Sequence, residues 1–201
     1  MIDEMNILIA GVGGQGALTL AGVMADAAIK SDINVISGEV HGMAQRGGAV
    51  FVHVRMGGKV RGPIIPLGQA NVIIGLEMVE PLRYLDFLSD NGSIVVSKTP
   101  IVPPLVWAGL AVYPDEQTVF DQYKKITDSV YLIDSLGLAN RTGNPLTANI
   151  VLLGAMAACV DLPFEKQVML DSLASIMPER IRDINIHAFE LGWQEARGEK
   201  L

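Results

Sequence analysis

The sequence predicts an α/β fold of three layers, in which helices cover both faces of a mostly parallel sheet. Three observations support this. The continuous apolar run from Ile7 to Ala10 is typical of a strand that is buried on both faces. A glycine-rich turn and an apolar helical segment follow it directly. Similar apolar runs at residues 71–76, 93–97 and 130–133 alternate with helical patterns, as in a sheet built from βαβ units.

Composition limits the classes of function. The 201 residues fit one domain, residues 1–201, and half of them are hydrophobic, which excludes a disordered chain. A net charge of −7 argues against binding to nucleic acid or to a membrane surface. Cys159 is the only cysteine, so the chain forms no disulfide framework and cannot hold an iron–sulfur cluster by itself. The acidic start is unlike a signal peptide and no apolar run is long enough to span a bilayer, so we expect a cytoplasmic protein.

The first motif is the glycine turn after the first strand. Gly11, Gly13 and Gly16 have the spacing G-x-G-x-x-G, which makes the predicted sheet Rossmann-like. A helix over residues 14–30 would direct its free N–H groups towards an anion, so Gly13, Gly14, Gln15 and Gly16 are candidate binding residues. The alternative is a strand-to-helix turn that binds no ligand.

The second motif lies in residues 38–48, between strands predicted at 34–37 and 49–56. Glu39 follows Gly16 by 23 residues and could accept a hydrogen bond from a ribose hydroxyl, or it could pair with Arg46. The run Gln45-Arg46-Gly47-Gly48 suits a phosphate, a carboxylate or an acidic group of a partner, whereas its alternative is an ordinary surface arginine. His41 is either a ligand contact or a loop residue.

Further elements complete the predicted sheet. The Gly57-Gly58 pair predicts an antiparallel hairpin that joins residues 49–56 to residues 59–61. A helix is predicted to begin at Glu80 and to stop at residues 90–92. Residues 140–145 are predicted to form a loop.

Polar residues next to predicted strand ends are further site candidates. Ser97, Lys98 and Glu77 qualify because ligands of open α/β sheets bind at the carboxyl ends of strands, although each is otherwise a plain loop residue. Residues 100–114 hold four prolines and Trp107, and this loop could lie against another chain. Helices predicted at 149–160, 164–177 and 179–200 would pack on the sheet or on a partner.

Three segments together resemble a known family. They are Gly11-Val-Gly-Gly-Gln-Gly16, the segment His41-Gly-Met-Ala-Gln-Arg-Gly-Gly48, and a segment that begins at Asn149 with Asn-Ile-Val-Leu-Leu-Gly. They are similar to the gamma-type domain of the 2-oxoacid:ferredoxin oxidoreductases, and most of all to the beta subunit of indolepyruvate ferredoxin oxidoreductase. The resemblance covers nearly the whole chain.

The resemblance implies a function and a division of labour. The complete enzyme would convert an aryl-2-oxoacid such as indolepyruvate, with coenzyme A (CoA), into acyl-CoA, carbon dioxide and reduced ferredoxin. Thiamine diphosphate, magnesium and the iron–sulfur clusters would belong to a large alpha subunit, so this chain would be inactive alone and would complete the complex. The glycine turn, the Arg46-Gly47-Gly48 motif and Asn149 would contact CoA, the substrate or the alpha subunit.

Two expectations remain open. One departure is that Ser37 stands at the end of the predicted second strand, where a dinucleotide site needs an acid. This lowers the expectation of bound NAD, although a self-sufficient NAD- or FAD-binding module or dehydrogenase remains the alternative. The isolated chain could also form a homodimer through the apolar surface meant for its partner.

Overall fold

The computed structural model of the protein describes residues 4–41 and 48–198. Within these residues, six strands form one mixed sheet in the order β2-β3-β1-β4-β5-β6. The pairs β1–β4, β4–β5 and β5–β6 are parallel, whereas β3 runs antiparallel to both β1 and β2. The predicted α/β class with a mostly parallel sheet is therefore confirmed. The strands are β1 Met5–Val12, β2 Val35–His41, β3 Ala49–Met56, β4 Ala70–Gly75, β5 Leu88–Ser97 and β6 Val130–Ile133.

The described residues also form seven α-helices and two short 3₁₀ helices, which make the sheet the middle of three layers. Apolar side chains on one sheet face pack with α1, α5, α6 and α7. Those on the other face pack with α3 and the first 3₁₀ helix. β1 lies in the middle of the sheet and contributes to both cores, as its continuous apolar run predicts. The α-helices are α1 Ala17–Lys30, α2 Pro104–Trp107, α3 Glu116–Lys124, α4 Ser135–Arg141, α5 Ala148–Cys159, α6 Lys166–Ile176 and α7 Glu179–Ala196, and the 3₁₀ helices are Glu80–Phe87 and Pro145–Thr147.

The predicted hairpin at Gly57-Gly58 is wrong. The antiparallel partner of β3 along the chain is the preceding strand, β2, with Ile36 opposite Arg55. The other edge of β3 pairs with β1, so no edge is left for a strand at residues 59–61, which form none.

The buried Arg55 side chain instead fixes the segment that follows β3. Its Nε donates to Asn6 Oδ1 at 3.0 Å, and its Nη1 donates to the carbonyls of Gly62 and Ile64 at 3.0 and 2.9 Å. Its Nη2 forms an ion pair with Glu4, which lowers the pKa of that carboxyl group. Residues 62–64 are thus held against the sheet by hydrogen bonds to their carbonyl groups, but they do not form a strand of the sheet.

Three other boundaries differ from the sequence predictions. The 3₁₀ helix Glu80–Phe87 leads straight into β5, so residues 90–92 lie within a strand and do not end a helix. Helix α4 was missed by the sequence analysis and overlaps the start of the predicted 140–145 loop; Asp134 caps it by accepting from the Gly137 N–H at 2.9 Å. Helix α1 begins at Ala17, later than the predicted residue 14.

The last three helices pack on the sheet as predicted, and α5 and α7 approach to backbone contact. A β-carbon built on Gly154 would lie 2.0 Å from the Phe189 carbonyl oxygen. One built on Gly192 would lie 1.9 Å from the Val151 carbonyl oxygen. Neither backbone atom can move aside alone, so both positions require glycine. Among the helices of residues 4–41 and 48–198, none combines the length and the hydropathy that crossing a bilayer needs.

His53, in the middle of β3, is fully buried. Its ring makes edge contacts with Phe51 and Phe87. Its Nδ1 accepts a hydrogen bond from the Ile65 N–H at 3.4 Å. Burial, with a smaller contribution from Arg55, lowers the pKa of this imidazole. The folded state therefore keeps His53 neutral at pH values where the unfolded chain would protonate it.

We expect Gly192→Ala to lower the free energy of unfolding by about 3 kcal/mol, because the added methyl group overlaps the backbone of α5. Gly22→Ala is the matched control. Gly22 is exposed within α1 and has no atom near its missing β-carbon, so this change should raise stability by about 0.5–1 kcal/mol. Urea unfolding of both variants measures the difference. Equal stabilities would contradict the close helix contact.

We expect the free energy of unfolding to fall as the pH drops from about 7 to about 5, because the unfolded chain binds a proton at His53 near its ordinary pKa of about 6.5 while the folded chain resists it. His53→Phe should flatten this part of the pH profile. His187→Gln, which removes an exposed histidine and keeps His53, should preserve it. Denaturant unfolding across this pH range distinguishes the two variants.

Candidate functional site

The carboxyl ends of β1, β4, β5 and β6 meet at one edge of the sheet, because these strands are parallel. A cavity of about 220 Å³ opens there. Its walls come from the glycine turn, the ends of β4 and β5, and the starts of α4 and α5. The lining residues are Gly14, Gln15, Leu76, Ser97, Thr99, Ser135, Leu136, Pro145, Leu146, Ala148, Asn149 and Leu152.

The glycine turn has the conformation that its sequence motif predicts. Gly14 and Gly16 have φ angles of 101° and 82°, which side-chain-bearing residues rarely adopt. Gly16 caps α1 without a side-chain hydrogen bond, and the first turn of α1 contains no acidic residue. The positive end of this helix is therefore not neutralised by its own sequence, which favours an anion beside it. That an anion binds here stays a prediction.

The Gln15 side chain is used within the fold. Its Oε1 accepts from the Val12 N–H at 2.7 Å and its Nε2 donates to the Leu76 carbonyl at 2.7 Å. The amide therefore joins the end of β1 to the residue that follows β4. A β-carbon on Gly11 would lie 2.8 Å from Gln15 Oε1, so the first glycine of the motif makes room for this bridge. Gln15 still borders the cavity, but both ends of its amide already have partners.

Asn149 connects the first residues of α5 to the glycine turn. Its Nδ2 donates to the Gly16 carbonyl at 3.4 Å, and its Oδ1 accepts from the Ile150 N–H at 2.9 Å. A β-carbon on Gly16 would lie 2.4 Å from Asn149 Nδ2. Two motifs that are 133 residues apart in sequence are thus in contact at the cavity.

Ser97 lines the cavity, and so do Thr99 and Ser135, which are not among the site residues predicted from the sequence. The Oγ atoms of Ser97 and Ser135 are 2.7 Å apart, and Ser97 Oγ accepts from the Thr99 N–H at 3.0 Å. Ser135 lies two residues after the end of β6, whereas Ser97 ends β5, so a search for polar residues near every strand end would have found it. Lys98 does not line the cavity; it forms a half-exposed ion pair with Glu116, at 3.6 Å.

Glu77 is buried beside this edge and serves to order the loop that follows β5. Its Oε2 accepts from the N–H groups of Val79 and Glu80 at 2.7 and 2.9 Å. Its Oε1 accepts from the Ile101 N–H at 3.1 Å and from the Tyr113 hydroxyl. Burial and this hydrogen bond raise the pKa of Tyr113. Both carboxylate oxygens thus have partners within the fold, so Glu77 acts as a structural residue.

The second sequence motif lies only partly within the described residues. Gln45, Arg46 and Gly47 lie outside them, as does the side chain of His41. Gly48 is described, and its carbonyl accepts from the Gly13 N–H at 2.9 Å, so the segment rejoins the described structure beside the glycine turn.

Glu39 is placed differently from its prediction. It is exposed and lies within β2, not in a loop after it. Because β3 separates β2 from β1, Glu39 is two strand spacings, about 10 Å, from the line of the glycine turn. That arrangement does not favour the ribose contact that a dinucleotide site needs.

Metal binding would require grouped ligands. In residues 4–41 and 48–198, no three or more His, Cys, Asp or Glu side chains are grouped so that they could hold a metal ion.

Comparison with known proteins identifies the family. Residues 6–195 match the family model described as pyruvate ferredoxin/flavodoxin oxidoreductase. The indolepyruvate oxidoreductase subunit IorB of Archaeoglobus fulgidus is 40% identical over 193 residues, which cover 96% of each chain. The subunit of the same name from Thermococcus kodakarensis is 39% identical over 201 residues, which cover 98% of each chain.

A solved structure agrees with these relatives. The gamma subunit of a keto/oxoacid ferredoxin oxidoreductase from Geobacter sulfurreducens superimposes with a TM-score of 0.68 at 26% identity, over 96% of this chain and 99% of that one. The resemblance noted in the three sequence segments is therefore confirmed over nearly the whole chain. The protein belongs to the pyruvate ferredoxin/flavodoxin oxidoreductase family.

Proposed function

We propose that this chain is the smaller subunit of an indolepyruvate:ferredoxin oxidoreductase. The complex oxidatively decarboxylates aryl-2-oxoacids, forms the CoA thioester and reduces ferredoxin. The observation that carries the proposal is full-length similarity, near 40% identity, to subunits named for indolepyruvate. The cavity beside the glycine turn is the place at which this chain would take part.

The redox cofactors belong to the large subunit in this proposal. Iron–sulfur clusters need several thiolate ligands, and this chain has one cysteine. Among the residues that the structure describes, no three or more His, Cys, Asp or Glu side chains are grouped to hold the magnesium ion that thiamine diphosphate needs. In this proposal the contribution of the chain is binding and positioning.

Binding and positioning would take place at the carboxyl edge of the sheet. The glycine turn places the positive end of α1 beside the cavity. The strand β2 ends at the same edge of the sheet, and Arg46 comes after it in the sequence. Together they suit one anionic group, which is a phosphate of CoA, the carboxylate of the oxoacid or an acid of the large subunit. The Ser97 and Ser135 hydroxyls add hydrogen-bonding groups to a wall that is otherwise largely apolar.

A self-sufficient NAD- or FAD-binding module is the competing function, and only the glycine turn favours it. The comparisons give it no support, and the insertion of β3 between β1 and β2 moves Glu39 away from the turn.

We expect the purified chain alone to show no CoA-dependent oxidation of indolepyruvate with a dye acceptor, because the redox cofactors belong to the large subunit in this proposal. Mixing it with the separately purified, cofactor-loaded large subunit should give that activity. The measurement is dye reduction against the ratio of the two chains, which should saturate near equal amounts. Dye reduction by the chain alone would contradict the proposal. So would a rate of dye reduction that does not rise when the large subunit is added.

We expect Arg46→Ala to lower the turnover of the assembled complex about 10- to 100-fold, because a charge-assisted arginine contact contributes about 1.5–3 kcal/mol. Arg61→Ala is the control, since Arg61 is exposed and donates only to the carbonyls of Gly58 and Val60 nearby in sequence. A raised KM for CoA or for the oxoacid would identify the anion. Wild-type kinetics in an assembled Arg46→Ala complex would show that Arg46 does not contribute to the site.

A further inference from the structure

Residues 100–114, which we call the apolar loop, connect β5 to α3 and contain no charged side chain. Four large apolar side chains of this loop point away from the protein. Their exposed fractions are 59% for Leu105, 79% for Trp107, 77% for Leu110 and 91% for Val112. Single exposed apolar residues are normal on protein surfaces, but four within eight residues form a patch.

The loop is held in one conformation in spite of this exposure. Both of its ends are bonded to the same buried carboxylate oxygen, because Glu77 Oε1 accepts from the Ile101 N–H and from the Tyr113 hydroxyl. Between them, helix α2 and the hydrogen bond from the Leu110 N–H to the Leu105 carbonyl, at 2.9 Å, order the tip. A preordered loop loses little conformational entropy when it binds a partner.

Exposed apolar side chains are also present at the cavity. Thr99, directly before the loop, lines the cavity together with Leu136 and Leu146, and these two leucines are also exposed. With Leu105, Trp107, Leu110 and Val112 in the loop, six large apolar side chains are therefore exposed in the loop and at the cavity, more than the scattered single residues that are normal on a protein surface.

Charge and position together indicate which partner covers this surface. The chain carries a net charge of −7, so two copies repel each other, and an uncharged loop alone does little to offset that repulsion. A second copy on the loop would also stand beside the cavity and hinder access of the large subunit to it. A partner that brings the cofactors to the cavity must contact this edge of the sheet.

On the basis of the function proposed above, we propose that the apolar loop is the surface through which this chain docks to the large subunit. Trp107 and Leu110 provide the central contacts, and Leu146 extends the interface to the mouth of the cavity. The matching surface of the large subunit is apolar and uncharged, because a charge opposite the loop would lose its hydration without gaining a partner. Docking then places the large subunit directly over Ser97 and Asn149.

The first test compares two leucine variants. Leu110→Asp should weaken the affinity for the large subunit about 30-fold or more, as expected for a central contact. Leu67→Asp is the matched control, since Leu67 is similarly exposed but precedes β4, at the opposite edge of the sheet. It should change the affinity less than threefold. Both side chains are exposed, so thermal unfolding should confirm that both variants remain folded. Titration calorimetry of each variant with the large subunit gives the affinities.

The second test observes Trp107 directly. Only two tryptophans occur in the chain, and Trp193 is half-buried against Phe189, so 5-fluorotryptophan labelling gives two ¹⁹F resonances that Trp193→Phe assigns. Addition of unlabelled large subunit should shift the Trp107 resonance. It should also abolish the difference between the ¹⁹F chemical shifts of Trp107 in H₂O and in D₂O, because the bound side chain is shielded from solvent. A Trp193 resonance that stays in place serves as the internal reference.

Three results would overturn the inference in distinguishable ways. If the wild-type complex forms and Leu110→Asp binds as tightly as Leu67→Asp, the loop is not the docking surface. If the Trp107 resonance shifts with the concentration of this chain alone, a second copy covers the loop. If the wild-type chain fails to bind the large subunit at all, the proposed function fails as well.

Discussion

The side-chain amide of Gln15 is the interaction on which the functional edge of the molecule depends. Its two hydrogen bonds, each 2.7 Å long, join the end of β1 to the chain leaving β4. The bridge fixes the path of the glycine turn, because Gly11 must leave space for the amide and Gly16 must leave space for Asn149. The start of α1 and the start of α5 are thereby set against each other, and the cavity is the space that remains between them.

A second polar group has the same kind of role one strand further along. Glu77 collects four hydrogen bonds after the end of β4, and these define the 3₁₀ helix on one side and the apolar loop on the other. Gln15 and Glu77 therefore fix the positions of the chain segments that follow β1, β4 and β5. Because the polar atoms of Gln15 and Glu77 already have partners, the described groups that this edge offers for recognition include backbone N–H groups, hydroxyls and exposed apolar side chains. Such a surface is suited to binding and positioning.

Features set by local sequence could be predicted, and features set by pairing over long distances could not. The buried strand β1, the glycine turn and the three C-terminal helices each follow from residues that are neighbours in the chain. The pairing of β3 with β2 does not follow from neighbouring residues. Gly57-Gly58 has the composition of a turn whether or not a strand edge is free to pair with the residues that come after it. Gln15 was predicted to contact a ligand or partner, but its acceptor at Leu76 is 61 residues away and invisible to a local pattern. The contact between Ser97 and Ser135 likewise depends on β5 and β6 being adjacent.

The position of β1 also matters while the chain is being made. β1 leaves the ribosome before the other five strands of the sheet, and it has no neighbour until β3 and β4 have followed. By the end of β6 the sheet is complete, yet α5, α6 and α7, which cover much of one face, have still to be synthesised. The nascent chain therefore carries a finished sheet with one apolar face partly uncovered until its last helices emerge. Such intermediates are prone to aggregate, so we expect productive biogenesis to depend on a chaperone or on rapid completion of the final third of the chain.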